Sequence, residues 1–167
     1  MQKILIFTSL LVLCLIGCRP KDDFKPIGTP FDQVLGIKGT FKLSHVEQVD
    51  NLTTSTLKML DVSDYCVGDN PMTLTFAIDS SPHTVTINPG NSGDFLSGGA
   101  TSLTWEYDLD KAPSYLTLSN GAQWDLGRPI RDSDPQLFLK VTKYYKIDKN
   151  SGKPLATITY NFTFDRM

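Results

Sequence analysis

The chain has 167 residues with 16 basic and 18 acidic side chains, a formal net charge of −2, two histidines and three cysteines. That balance argues against nucleic acid or an anionic membrane face as the main partner. The length suits one domain with a real core, and so few histidines and cysteines make no zinc pattern.

Lys3 gives a positive start, and Ile4 to Ile16 form an apolar run of 13 residues. This is the length of a secretory core and too short to cross the roughly 30 Å of a bilayer. The run ends in Leu15-Ile16-Gly17-Cys18. An apolar pair, a small residue and a cysteine resemble the lipobox of bacterial lipoproteins. The resemblance implies that residues 1–17 are a signal peptide, cut off before Cys18, whose thiol is acylated. Two or three acyl chains, each methylene worth roughly 0.8 kcal/mol when buried, hold a protein on a membrane where one chain would not. Removing 17 of the 167 residues leaves 150, and the loss of Lys3 moves the net charge to −3. Cys14 leaves with the signal, so Cys66 is the one thiol left without a lipid. Between Tyr65 and Val67 it reads as a small buried hydrophobe.

Residues 18–36 read as a flexible tether. Arg19-Pro20-Lys21-Asp22-Asp23 is followed by Pro26, Gly28 and Pro30, a composition that cannot bury a core. The 18 steps from Cys18 to Gly36 span on the order of 25 Å as a flexible chain, enough to hold a domain clear of the headgroups. Lys21-Asp22-Asp23 also resembles the lysine-plus-acidic signal beside the lipidated cysteine of surface-displayed lipoproteins in Bacteroidetes. It implies an outer-membrane anchor facing the cell surface.

The folded domain is expected over residues 37–167. A strand from Lys38 to about Val49 alternates Phe41 and Leu43 with Lys42 and Ser44, then slips to Val46 and Val49, which calls for a bulge near Ser44-His45. Ser55 or Thr56 would cap a short helix carrying Leu57, Leu60 and Tyr65, ended by Gly68 and Pro71. From Met72 the period is two. Leu74, Phe76 and Ile78 form a hairpin with Val85 and Ile87 across Asp79-Ser80-Ser81-Pro82. Leu103, Trp105 and Tyr107 share one face of the next strand, and a turn at Asp110 to Pro113 leads to Tyr115 through Leu118. Asn120-Gly121 is the strongest turn signal in the chain, and Gln123 to Leu126 returns from it. Leu137, Leu139 and Val141 lead a long strand to about Ile147, Asn150-Ser151-Gly152 turns it, and Ile158, Tyr160, Phe162 and Phe164 follow.

These are eight strands joined by short turns, an all-β antiparallel meander. Rolling up removes its unpaired edges, and a two-sheet β-sandwich is the alternative. Gly39-Thr40-Phe41-Lys42-Leu43 resembles the glycine-x-tryptophan opening of lipocalin-like barrels, with Phe41 in place of tryptophan. Arg166, at the end of the last strand, stands where that family places a basic residue over the aromatic. The plan is similar to the small lipocalin-like lipoproteins of unknown function found in Bacteroidetes.

Signals for catalysis are sparse. Gly90-Asn91-Ser92-Gly93 has the look of a protease serine loop, with His45 or His83 as a base, but that chemistry uses two barrels and this chain holds one. Asp108-Leu109-Asp110 and Asp132-Ser133-Asp134 lack the glycine and distal glutamate of a calcium loop. Both histidines read as exposed strand residues. No cofactor is implied, and no enzyme.

Binding is the better class. Trp105, Tyr107, Tyr115 and Trp124 lie in neighbouring strands, and aromatic faces stack on sugars or line apolar pockets when they are not simply core. The 11-residue connection Pro89 to Gly99 carries Phe95 and Leu96 among glycines and would serve as a lid. The expected ligand is a glycan or a small apolar molecule, held by Trp105, Tyr107, Trp124 and Phe95 in or at the mouth of a barrel. The alternative is a surface module that binds protein or polysaccharide on an outer face.

Overall fold

The first element is α1 (Gln33–Ile37), capped by Asp32, whose carboxylate accepts from Val34 N at 2.9 Å. Val34 and Ile37, three residues apart on one helix face, are buried. Gly36 between them lies so close to the chain at Ile130 that an added Cβ would sit 2.7 Å from its carbonyl carbon. The packed unit therefore reaches back to Phe31, and residues 31–36, expected as the end of the tether, belong to the fold. The computed structural model describes residues 31–52, 58–93, 95–110, 112–147, 149–152 and 154–167. The expected signal peptide, Cys18, and the tether as far as Pro30 lie outside them.

The strands follow as β1 (Gly39–Asp50), β2 (Met59–Asp61), then α2 (Ser63–Cys66), β3 (Thr73–Ala77), β4 (His83–Asn88), β5 (Ser102–Tyr107), β6 (Tyr115–Leu118), β7 (Gln123–Leu126), β8 (Gln136–Ile147) and β9 (Pro154–Arg166). All pairings are antiparallel. β3 to β9 run in sequence order, and β1 joins β3 on one side and β9 on the other. Eight strands thus close into a barrel, as the meander required, and a two-sheet sandwich is excluded because one continuous sheet meets itself. At the seam Phe41 opposes Arg166 and Asp50 opposes Ile158, with a register shift between Leu43 and His45. That shift is the expected bulge, and it keeps Val46 facing inward after Phe41 and Leu43.

The region expected to be one helix from Ser55 is built differently. Ser55, Thr56 and Leu57 lie outside the described residues, Met59–Asp61 is a strand, and only Ser63–Cys66 is helical. β3 pairs with β1 only over Gly39 to Lys42, while β1 continues for eight more residues. β2 takes up part of that open edge by pairing with Glu47 to Val49. Unpaired ladder groups are costly, and their satisfaction overrides the weak helical preference of so short a segment. Asp61 then accepts from Ser63 N at 2.9 Å, an aspartate turn that starts α2.

The barrel is filled by side chains. Phe76 is central, with edge-to-face contacts to Phe41, Trp105 and Trp124 at ring-centroid distances of 6.1, 5.9 and 6.4 Å. Phe162, Phe164, Leu74 and Ile87 are also buried. Antiparallel alternation places α1, the β3–β4 turn, the β5–β6 and β7–β8 connections and Arg166 at one end. The long β4–β5 connection and the β6–β7 turn stand at the other, where Gly121 takes the positive φ of 81° expected of Asn120-Gly121.

Arg166 ties the first end together. Its Nε donates to Asp134 O at 2.9 Å, Nη1 to Lys38 O at 2.8 Å and Nη2 to Gly36 O at 2.6 Å. The guanidinium carbon is 4.6 Å from the Phe41 ring centroid, a placement worth about 0.5–2 kcal/mol and the one the barrel resemblance implied. Lys38 Nζ, 2.7 Å from Asp79 Oδ1, links α1 to the β3–β4 turn at the same end.

Candidate functional site

The β4–β5 connection does not stand open as a lid. Leu96 is buried, and Phe95 packs on Tyr160 with ring centroids 4.3 Å apart. Asn120 Nδ2 donates to Ser97 O at 3.1 Å, which fastens the loop to the β6–β7 turn. Ser92, in the 3-10 turn Gly90–Ser92, donates its hydroxyl to Cys66 O at 2.7 Å, while His83 stands at the opposite barrel end. The serine of the protease-like loop is thus a structural tie. Cys66 is half-buried, and that burial pushes its thiol up from the ordinary value, which suits a packing residue.

The predicted aromatics separate. Trp124 is 0% exposed and Trp105 only 1% exposed, so neither offers a free ring face to solvent. Trp124 opposes Leu116 inside the barrel and meets Phe76 edge to face, while Phe95 packs on Tyr160. Both indole N–H groups lack an acceptor among the described residues. Trp105 and Tyr107, however, come together with a residue that was read as merely exposed. His83 pairs with Trp105 across β4 and β5. The period-two phase set by Val85 and Ile87 carries His83 to the same inward face, and that phase is the signal by which it could have been found.

His83 stacks on Tyr107 at 5.9 Å and 15° between planes, and lies 4.8 Å from the Trp105 ring. Its Nδ1 is 3.0 Å from Ser80 O. A carbonyl can only accept, so Nδ1 carries the proton and Nε2 of the neutral ring is left as an acceptor. Around these rings, where β4 begins and β5 ends, is a cleft of about 290 Å³ lined by Ser81, Pro82, His83, Trp105, Glu106 and Tyr107. Its size falls just below the usual range of ligand pockets, roughly 300–1,000 Å³.

Comparison with protein-family models, curated proteins and solved structures returned no match. The chemistry of this chain therefore rests on its own side chains.

A serine, a histidine and carboxylates also meet at the β1 bulge. Ser63 Oγ is 2.8 Å from His45 Nδ1, and His45 Nε2 is 3.6 Å from Glu47 Oε1. The connectivity is that of a nucleophile and base, but Ser63 Oγ accepts from Val46 N at 2.9 Å, which commits a lone pair to the backbone. The Ser63 hydroxyl, then the Ser63 N–H, hold the Asp61 carboxyl below its ordinary range. The cluster pins α2 to the bulge. Among the described residues no group of three His, Cys, Asp or Glu side chains is placed to hold a metal.

Proposed function

We propose that this chain is a lipid-anchored surface lipoprotein that holds one sugar ring in the cleft of His83, Trp105 and Tyr107 at an end of its barrel. The observation that carries the reading is the stacked His83–Tyr107 pair over an open cleft in a barrel otherwise filled by side chains. The C–H faces of a sugar ring suit aromatic planes. One of its hydroxyls would donate to His83 Nε2, an acceptor that a purely apolar ligand would leave unpaired. The lipobox at Cys18 and the Lys21-Asp22-Asp23 signal supply the anchor and its surface address, in keeping with a lipocalin-like lipoprotein of Bacteroidetes. No enzymatic step is part of the proposal.

His83→Ala and Tyr107→Ala should each weaken binding of the best monosaccharide in a panel by about tenfold, near 1.4 kcal/mol. Both side chains are at the barrel rim, so stability should fall by less than about 1 kcal/mol. Tryptophan emission during titration reads the binding through Trp105, whose ring lies 4.8 Å from the His83 ring that lines the cleft. A panel in which no sugar shifts the emission, or variants that bind as the parent does, would refute the site.

The anchor is tested separately. Cys18→Ala should lose its lipid by mass spectrometry and leave the detergent-extracted membrane fraction. If the variant stays in that fraction with lipid attached, the lipoprotein reading fails.

A further inference from the structure

On the outside of the barrel, two rows of side chains cross four strands. His45, Thr163 and Phe138 stand opposite one another on β1, β9 and β8, and Glu47, Asn161, Lys140 and Asp125 form the next row from β1 to β7. Between them lies a groove of about 350 Å³ lined by His45, Glu47, Arg128, Phe138, Lys140 and Asn161, together with Thr163 and Gly127. Gly127 is needed there because an added Cβ would stand 2.9 Å from the Phe138 Cβ. With no side chain in the way, Arg128 lays its guanidinium over the Phe138 ring, 4.1 Å from the centroid.

The charges in this groove do not cancel. Neither Arg128 nor Lys140 has an acidic partner among the described residues. Asp125, which opposes Lys140 across the strands, instead accepts from Gln123 Nε2 at 2.6 Å. Glu47 is the one acid in the lining, and it is turned to His45. Within the lining itself two cations, Arg128 and Lys140, stand against the one carboxylate of Glu47, while Asp125, opposite Lys140 but outside the lining, keeps its charge. The Arg128 fork lies over the Phe138 ring and has no acidic partner among the described residues, so its N–H edges suit a planar, bidentate acceptor. Asn161, Thr163 and Glu47 add the donors and acceptors that ring hydroxyls need.

We infer that this groove is a second binding site, for a saccharide that carries a uronic-acid carboxylate. The carboxylate takes the Arg128 and Lys140 end, and the ring hydroxyls take Asn161, Thr163 and Glu47. The site is separate from the aromatic cleft, since its residues come from β1, β8, β9 and the β7–β8 connection and the cleft is made where β4 begins and β5 ends.

The test is calorimetric titration of the full-length chain, in micelles of an uncharged detergent, with trigalacturonate and with the same trisaccharide as its methyl ester. The acid should bind and the ester, of like shape without the charge, should bind at least about tenfold more weakly. Arg128→Gln and Lys140→Gln should each cost about tenfold for the acid and leave the melting temperature unchanged, as both side chains are exposed. Affinity for the acid should also fall as salt is raised. Equal affinity for acid and ester, parental affinity in both variants, or no heat with trigalacturonate up to about 1 mM, would each overturn the inference.

Discussion

Replacement of Trp124 by alanine is expected to lower the stability of the barrel by about 3 kcal/mol, and replacement of Trp105 by a similar amount. Both indoles meet Phe76 edge to face in the filled interior. Each sits on a strand whose two neighbours are hydrogen-bonded, so the sheet cannot collapse into the space left behind. Burial of a large aromatic normally sets a cost of about 3–5 kcal/mol. Here the value falls at the lower end, because the variant also removes an indole N–H that has no acceptor among the described residues and carries a desolvation penalty of roughly 1–3 kcal/mol. Urea denaturation reads the change as a lower midpoint at constant slope. A loss below about 1 kcal/mol at Trp124 would show that its ring does not fill the barrel.

Arg166→Ala is the second large loss, about 2–4 kcal/mol. Hydrogen bonds to a charged donor contribute roughly 1.5–3 kcal/mol each, and Arg166 makes three shorter than 3 Å, to the carbonyls of Asp134, Lys38 and Gly36. The sum is discounted because the side chain is only half-buried and water can reach the freed carbonyls. Arg166→Lys keeps the charge over Phe41 but replaces a five-donor planar fork with an ammonium that cannot span three directions. It should recover less than half of the loss. Full recovery with lysine would mean that charge alone matters, and that the fork does not tie α1 to the β7–β8 connection.

The seam of the barrel was legible because its signals are local. Gly39 to Leu43 and Arg166 named the two strands that meet, the slip from Leu43 to Val46 named the bulge, and the period of two named the strand faces. α1 and β2 were not legible for the opposite reason. Each is five residues or fewer and exists because a partner elsewhere, Ile130 for α1 and the open edge of β1 for β2, satisfies it. The aromatic cleft was half legible. Trp105 and Tyr107 were placed on one face by spacing, while His83 was read as an exposed strand residue, and only the pairing with Trp105 set it beside them. The outer groove could not be read at all. His45, Arg128, Phe138 and Asn161 become neighbours only through the registers of three strand pairs, and register is not written in any one strand.

The seam also decides when the protein can become itself. Phe41 and Arg166 are paired across 125 positions of chain, and closing a loop of that length costs about 4 kcal/mol of chain entropy beyond a fixed term. A polypeptide delivered from its amino end cannot recover any of that until β9 arrives. Until then β1 and β8 each present a bare edge, the surface on which unfinished sheets stick to one another. Maturation is therefore gated by the arrival of the last strand, and a chain held back before that point is a substrate for chaperones and proteases.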